Sequence, residues 1–215
     1  MNILVVLVLF FALSLGVNDY QFNLLQKTAD TILVERVIDG DSIILGSNGI
    51  RARLKNVEAP EIGNCGADQA KKRLQDLVEG KKVKVEFSGE DTYNRSLVFL
   101  FQNNTLINKV LMEEGLVRYD GSPSSYRDSL RDAHQEAVSA KKGIYGLPCL
   151  SEKPDDPKCL IKGNVDKHDT DKGMYFLPGC SEYNQTPIEK DLGDKWFCTE
   201  KEAQKEGFVK ATHCP

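Results

Sequence analysis

Two adjoining runs decide the fold: Thr31-Ile32-Leu33-Val34-Glu35-Arg36-Val37-Ile38-Asp39-Gly40-Asp41-Ser42-Ile43-Ile44-Leu45, and Ile50-Arg51-Ala52-Arg53-Leu54-Lys55-Asn56-Val57-Glu58-Ala59-Pro60-Glu61. Thr31 to Ile38 is rich in β-branched residues and reads as a strand. Asp39-Gly40 is a turn signal, and Asp41 to Leu45 reads as a second strand. Gly46-Ser47-Asn48-Gly49 turns the chain again into a third strand, Ile50 to Val57, with Ala52 and Leu54 on one face and Arg51, Arg53 and Lys55 on the other. The alternation fails at Asn56-Val57, which predicts a bulge or bend before Glu58, and Pro60 ends the strand.

Outward from this meander, Ala67, Ala70, Leu74, Leu77 and Val78 recur at helical spacing, with Gly80 as a stop. Val83, Val85 and Phe87 alternate as a fourth strand, and Ser96 to Phe101 makes a fifth. Leu106, Ile107, Val110 and Leu111 mark a second helix closed by Gly115. Leu130, Ala133, Ala137 and Ala140 mark a third, closed near Gly143. Five short strands, with one helix between the third and fourth, predict an α+β protein: mainly β, a Greek-key barrel of the oligonucleotide-binding (OB) type with three helices.

The flanks differ from this core. Met1 to Gly16 is an apolar run shorter than the roughly 20 residues that span a bilayer, and it reads as a signal peptide. Residues 17–30 read as a polar connector, 31–147 as the barrel domain, 148–158 as a linker rich in Pro, Asp and Lys, and 159–215 as a small disulfide-rich C-terminal module. Thr199-Glu200-Lys201-Glu202 is a capping box that opens a short helix in that module. Six cysteines, Cys65, Cys149, Cys159, Cys180, Cys198 and Cys214, fit an exported chain, and by sequence alone they allow 15 pairings. The absence of a Cys-x-x-Cys pair argues against a structural zinc site. The expected location is secreted or extracytoplasmic, with no membrane association once the signal is cleaved.

The net charge is −4. Eighteen Lys and Arg precede Cys149 against nineteen Asp and Glu, so neither part of the chain is basic. Overall charge therefore gives no footprint of nucleic-acid binding, and any hold on phosphate must come from a local cluster. Such a cluster exists in the quoted stretch. A hard cation takes carboxylate and carbonyl oxygens; Asp41 and Glu58 are the candidate ligands, with the Ala59 carbonyl and water. Arg53 and Arg95 can each fork onto phosphate oxygens and stabilise the charge that builds as a phosphodiester is attacked. Arg51 reads as a solvated strand residue. Glu61 is the candidate general base. Taken alone, Asp39-Gly40-Asp41 reads first as an ordinary hairpin turn, and it lacks the spacing of an EF-hand loop. His134 lies far along the chain and reads as a packing or surface residue, which leaves a carboxylate as the base. Tyr93, two residues before Arg95, can stack on a base or touch a phosphate, and Tyr119, Tyr126 and Tyr145 are further candidates for a nucleic-acid face, each alone more often a packing residue.

These stretches, with Asp91-Thr92-Tyr93-Asn94-Arg95 and Ala140-Lys141-Lys142-Gly143-Ile144-Tyr145, resemble the staphylococcal (micrococcal) nuclease family. The resemblance spans about Thr31 to Tyr145. It implies a thermonuclease-like, five-stranded OB barrel with three helices and a Ca²⁺-dependent, nonspecific endonuclease that hydrolyses DNA and RNA to 3′-phosphate products. The protein is expected to be a monomer. Carried over by position, Asp41, Glu58 and the Ala59 carbonyl would bind calcium, with Asp39 in the outer shell. Arg53 and Arg95 would stabilise the transition state, Glu61 would act as base and Tyr93 would contact the nucleotide. The chain departs from the family prototype, which has Asp at Glu58, Thr at Ala59, a lysine at Thr92 and a basic overall charge. The tail is similar to a small module found after such domains, and the pairing expected with it is Cys65–Cys149, Cys159–Cys214 and Cys180–Cys198. Two other readings stand beside the enzyme. The barrel alone could be a non-catalytic nucleic-acid-binding module, although the presence of the whole Asp/Arg/Glu set favours catalysis. The tail could be a metal- or wall-binding module.

Overall fold

The computed structural model describes residues 31–166, 169–212 and 214, with only the backbone for 169–172. The expected signal peptide and connector lie outside the described residues. The chain runs β1 (Thr31–Val37), β2 (Ser42–Leu45), β3 (Ile50–Leu54), β4 (Val57–Glu58), α1 (Ala67–Val78), β5 (Lys82–Glu90), β6 (Ser96–Gln102), β7 (Thr105–Leu106), α2 (Ile107–Glu113), β8 (Arg118–Tyr119) and α3 (Arg127–Ser139). The sheet order is β3-β2-β1-β5-β6-β7, and β3 also pairs with β6. That last pairing is parallel, with Arg53 opposite Leu97, and it closes five strands into a mixed barrel of α+β class. The register of β1 on β2 shifts between Val34 and Arg36, a bulge that adds the bend closure needs.

Alternation in the strands, offset by one residue at the bulge in β1, sends Val34, Val37, Ile43, Leu45, Ala52, Leu54, Val83, Val98 and Leu100 inward. Ala70, Leu74 and Val78 of α1 and Ile107, Leu111 and Met112 of α2 join the same core. Buried Asn108 satisfies the backbone where α2 meets β6: its side-chain oxygen accepts from Leu100 N at 3.1 Å and its amide donates to Lys55 O at 2.9 Å. The third strand is shorter than its expected run to Val57. Asn56 takes a left-handed φ of 62°, and the chain turns into β4, which pairs with β8.

Beyond the barrel lie β9 (Leu150–Ser151), β10 (Ile161–Asp166), β11 (Asp169–Phe176), β12 (Ile188–Glu189), β13 (Lys195–Phe197), α4 (Glu200–Lys205) and β14 (Phe208–Lys210). β13, β10, β11 and β14 form a four-stranded sheet. Its core holds Ile161, Tyr175, Phe197, Ala203 and Phe208. Two strand glycines let the aromatic rings approach the backbone: a Cβ on Gly163 would lie 2.4 Å from Phe197, and one on Gly173 would lie 2.5 Å from Phe208. α4 carries the capping box of Thr199 with Glu202. Within the stretch read as a linker, β9 pairs with β12 and Trp196 Nε1 donates to Ser151 Oγ at 3.0 Å.

Three disulfides join Cys65 to Cys149, Cys159 to Cys198 and Cys180 to Cys214. The expected Cys159–Cys214 and Cys180–Cys198 pairs are overturned, and strand register is the cause. Antiparallel β10 and β13 set Ile161 opposite Phe197, which brings Cys159 to Cys198. Parallel β11 and β14 set Tyr175 beside Lys210, which brings Cys180 to Cys214. Among the described residues no helix is long and apolar enough to cross a membrane.

Gly40 is a point of close approach between the turn before β2 and α1. A Cβ there would sit 2.6 Å from the Ala59 methyl and 2.8 Å from the Ala70 methyl, two groups with no rotamer to give way. Gly40→Ala is expected to lower unfolding free energy by about 2 kcal/mol, measured by urea denaturation; a change within error would show that β1–β2 and α1 are not held at this distance.

Candidate active site

The site begins with a turn. Asp39 Oδ1 accepts the backbone N–H groups of Asp41 at 3.0 Å and Ser42 at 2.7 Å, so its carboxylate shapes the chain entering β2. Asp41 follows with 3 % exposure. Its Oδ1 accepts from Ser42 Oγ and from an Arg53 terminal nitrogen, both at 2.9 Å, and its Oδ2 accepts from Ala59 N at 2.9 Å. One carboxylate thus ties β2, β3 and the loop after β4. Burial pushes the Asp41 pKa up to about 6, against the lowering pull of the Arg53 guanidinium and the Ala59 N–H.

Arg53 reaches two carboxylates, because its other terminal nitrogen lies 3.5 Å from Glu58 Oε1. Arg95 arrives from the turn between β5 and β6. Asp91 Oδ1 accepts the backbone N–H groups of Tyr93 and Arg95 at 2.9 Å each, and Asp91 Oδ2 accepts Arg95 Nε at 2.6 Å. Asn94 takes φ 58° in that turn, a conformation Asn tolerates. Burial tends to raise the Asp91 carboxyl pKa; the Arg95 and Tyr93 bonds outweigh it and hold it below the usual carboxylate value. Tyr93 is 78 % exposed, with its ring 5.5 Å from the Arg95 guanidinium carbon.

One cleft is lined by Asp39, Asp41, Arg51, Arg53, Ala59, Pro60, Glu61, Ile62, Tyr93 and Arg95. Four separate stretches of chain therefore meet there, with three guanidinium groups among carboxylates. Glu58 stands apart. It lines the neighbouring cleft with Arg118, Tyr119, Asp120, Asp166 and Asp191, and the two clefts share Ala59, Pro60 and Glu61. Arg51, read from sequence as a solvated strand residue, lines the first cleft because it shares the outer face of β3 with Arg53. Its two-residue spacing from Arg53 was the available signal.

Other candidates fall outside the clefts or lack reach. Tyr145 is buried and donates to Val117 O at 3.1 Å. Tyr126 packs against Phe99 and Phe101 and donates to Glu86 at 2.6 Å. Both are packing residues, not stacking platforms. Tyr119 lines the second cleft, with its hydroxyl oxygen buried. His134 pairs with the Tyr145 hydroxyl at 3.0 Å, and burial, with help from Arg118, lowers its pKa.

The candidate ligands are all oxygen, the Asp41 and Glu58 carboxylates and the Ala59 carbonyl, as a hard cation requires. Asp41 Oδ2 carries one hydrogen bond and keeps acceptor capacity, and a cation would offset the cost of burying its charge. The residues present fit such an ion. In the tail, Asp156, Cys159 and Cys198 also gather, but the two sulfurs are bonded to each other and offer no thiolate.

Residues 51–146 match the family model described as Staphylococcal nuclease homologue. The chain is 29 % identical over 156 residues to a thermonuclease of Staphylococcus intermedius, covering 65 % of this chain and 90 % of that protein. It is 29 % identical over 133 residues to a micrococcal nuclease of Shigella flexneri, covering 55 % and 75 %. It is 31 % identical over 134 residues to Endonuclease YncB of Bacillus subtilis (strain 168), covering 56 % and 64 %.

The electrostatics of the cleft give a direct expectation. In chelator, a carbon-detected NMR titration should find the Asp41 carboxyl with a midpoint of about 6. Arg53→Ala should move it higher still, because the guanidinium favours the charged form. A midpoint in the ordinary carboxylate range would show that the group is not buried as described.

Proposed function

We propose that this staphylococcal-nuclease-like endonuclease is an exported, calcium-dependent enzyme that hydrolyses DNA and RNA without sequence specificity and leaves 3′-phosphates. Its catalytic domain is residues 31–147, followed by a Cys-bearing module from residue 159. The observation that carries the reading is the single cleft shared by Asp41, Arg53, Glu61, Tyr93 and Arg95. The three disulfides agree with an oxidising compartment.

Asp41, Glu58 and the Ala59 carbonyl would hold the calcium ion, with Asp39 behind them. A bound calcium supplies Lewis-acid polarisation of a phosphate oxygen. Glu61 takes a proton from the attacking water as the new oxygen–phosphorus bond forms. Arg53 and Arg95 fork onto the non-bridging oxygens as their charge grows. The bond from phosphorus to the 5′-oxygen breaks, and that oxygen takes a proton from solvent. Asp91 holds Arg95 in place through its Nε, which leaves the two terminal nitrogens of that guanidinium for phosphate. Tyr93 lies against the nucleotide. Arg51 adds positive charge for a phosphate beside the scissile one.

Plasmid and single-stranded DNA should be cleaved in Ca²⁺ and left intact in chelator. Arg53→Ala and Glu61→Ala should each lose about 10²- to 10⁴-fold in rate; Glu61→Ala should leave thermal unfolding unchanged, whereas Arg53→Ala should also lower the unfolding midpoint, because it leaves buried Asp41 without its guanidinium. Cleavage in chelator, or wild-type rates from both variants, would defeat the assignment. Arg51→Ala should raise KM on polynucleotides and make the salt dependence shallower by about one power of salt concentration, with kcat retained; an unchanged slope would return Arg51 to the solvated face.

Calcium and the proton compete for Asp41. A raised carboxyl pKa means the protonated form persists to higher pH, so affinity is lost as pH falls through about 6. Calorimetry should therefore find a dissociation constant steady above about pH 7 and rising up to about tenfold per unit below the Asp41 midpoint. A flat profile down to pH 4.5 would remove Asp41 from the ligand set.

A further inference from the structure

The tail is fastened to the barrel beside the loop that carries Glu61. The Cys65–Cys149 disulfide joins that loop to the end of the barrel domain. Cys65 N donates to Lys190 O at 3.3 Å, Asn64 Nδ2 to Asp191 O at 3.3 Å, and Lys190 N to Cys149 O at 2.9 Å. The segment Glu189–Asp191 thus lies along the chain leaving the cleft.

On the barrel side, β4 and β8 set Glu58 directly opposite Arg118. Residues opposite one another in an antiparallel pair have Cβ atoms only about 5 Å apart, so a Glu facing an Arg ordinarily forms an ion pair with it. Here the guanidinium is engaged elsewhere. Arg118 Nε donates to Asp191 Oδ2 at 2.6 Å, and one terminal nitrogen donates to Asp191 Oδ1 at 3.1 Å and to Glu189 Oε1 at 2.9 Å. The Asp191 side chain is 1 % exposed, so this forked pair is shielded from water and strong. Burial would lower the Arg118 pKa; the two tail carboxylates overcome this and raise it. Glu58 keeps a half-exposed side chain whose shortest ion-pair distance among the described residues is the 3.5 Å to Arg53.

We propose that the C-terminal module is a positioning device for the metal site: Asp191 and Glu189 draw Arg118 away from Glu58 and leave that carboxylate available to a divalent cation. The proposal rests on the reading of Glu58 as a calcium ligand. Without the tail carboxylates, Arg118 would turn to the adjacent Glu58 and compete with the ion for it. Asp191, Glu189 and Arg118 are positioning residues here and touch neither ion nor substrate.

Calcium titration of the full chain by calorimetry, with no nucleic acid present, tests it. Glu189→Gln/Asp191→Asn should raise the calcium dissociation constant ~3- to 10-fold. Arg118→Met in the native background should change it by less than about twofold, because the guanidinium is already held off Glu58. Arg118→Met added to the double variant should restore near-native affinity. A merely structural clamp would make the triple variant at least as weak as the double. A general charge effect would make Arg118→Met tighten binding by the same factor in both backgrounds. Either result, or native affinity in the double variant, overturns the proposal. If the double variant loses cooperative unfolding, the same series built on Glu189→Gln alone carries the test, with a smaller shift of the same sign. Wild-type protein that binds no calcium, or Glu58→Gln that binds it like wild type, would instead remove the ligand reading itself.

Discussion

The Asp41 carboxylate accepts hydrogen bonds from three directions: the hydroxyl of Ser42 on β2, the guanidinium of Arg53 on β3 and the backbone N–H of Ala59 after β4. A charge buried this deeply costs several kcal/mol unless it is paired and hydrogen-bonded. The surrounding chain meets that need by converging on it. Gly40 allows the approach, since any larger residue would push the turn off Ala59 and α1. The candidate site is therefore also a structural joint, and its residues are held by the barrel instead of being displayed on free loops.

Closure of the barrel supplies the second arginine. The parallel pairing of β3 with β6 puts Ala52 opposite Ser96, so Arg53 and Arg95 come to one edge although 41 intervening residues separate them. Arg51 joins them on the outer face of β3. The chain is acidic overall, yet the cleft concentrates three guanidinium groups. Local arrangement, not net charge, sets the potential inside the cleft.

The tail belongs to the same design. Its small core could not do much alone, and two disulfides staple it internally. Its carboxylates reach back to Arg118 beside Glu58, and its backbone holds Asn64 and Cys65. A module that looks separate along the chain is thereby coupled to the loop that bears Glu61.

Much of this was legible without coordinates. Alternation in Ile50–Leu54 and helical spacing in Ala67–Val78 follow from which face of a local element must leave water, and that is written in neighbouring residues. The Asp, Arg and Glu types of the candidate site also stand in the sequence, because hard-cation binding and phosphate contact demand those groups wherever they fall. Other features depended on tertiary structure. Arg51 reads as a solvated strand residue until the cleft wall is known to include it beside Arg53, and Glu58 reads as a neighbour of Glu61 until the turn at Asn56 sends it to the adjoining cleft. The tail disulfides follow the register of β10 on β13 and of β11 beside β14, in strands whose Lys, Asp and Gly content hides their period. Register and closure are relations between distant segments, fixed by which buried faces fit together, and no window of sequence contains both partners.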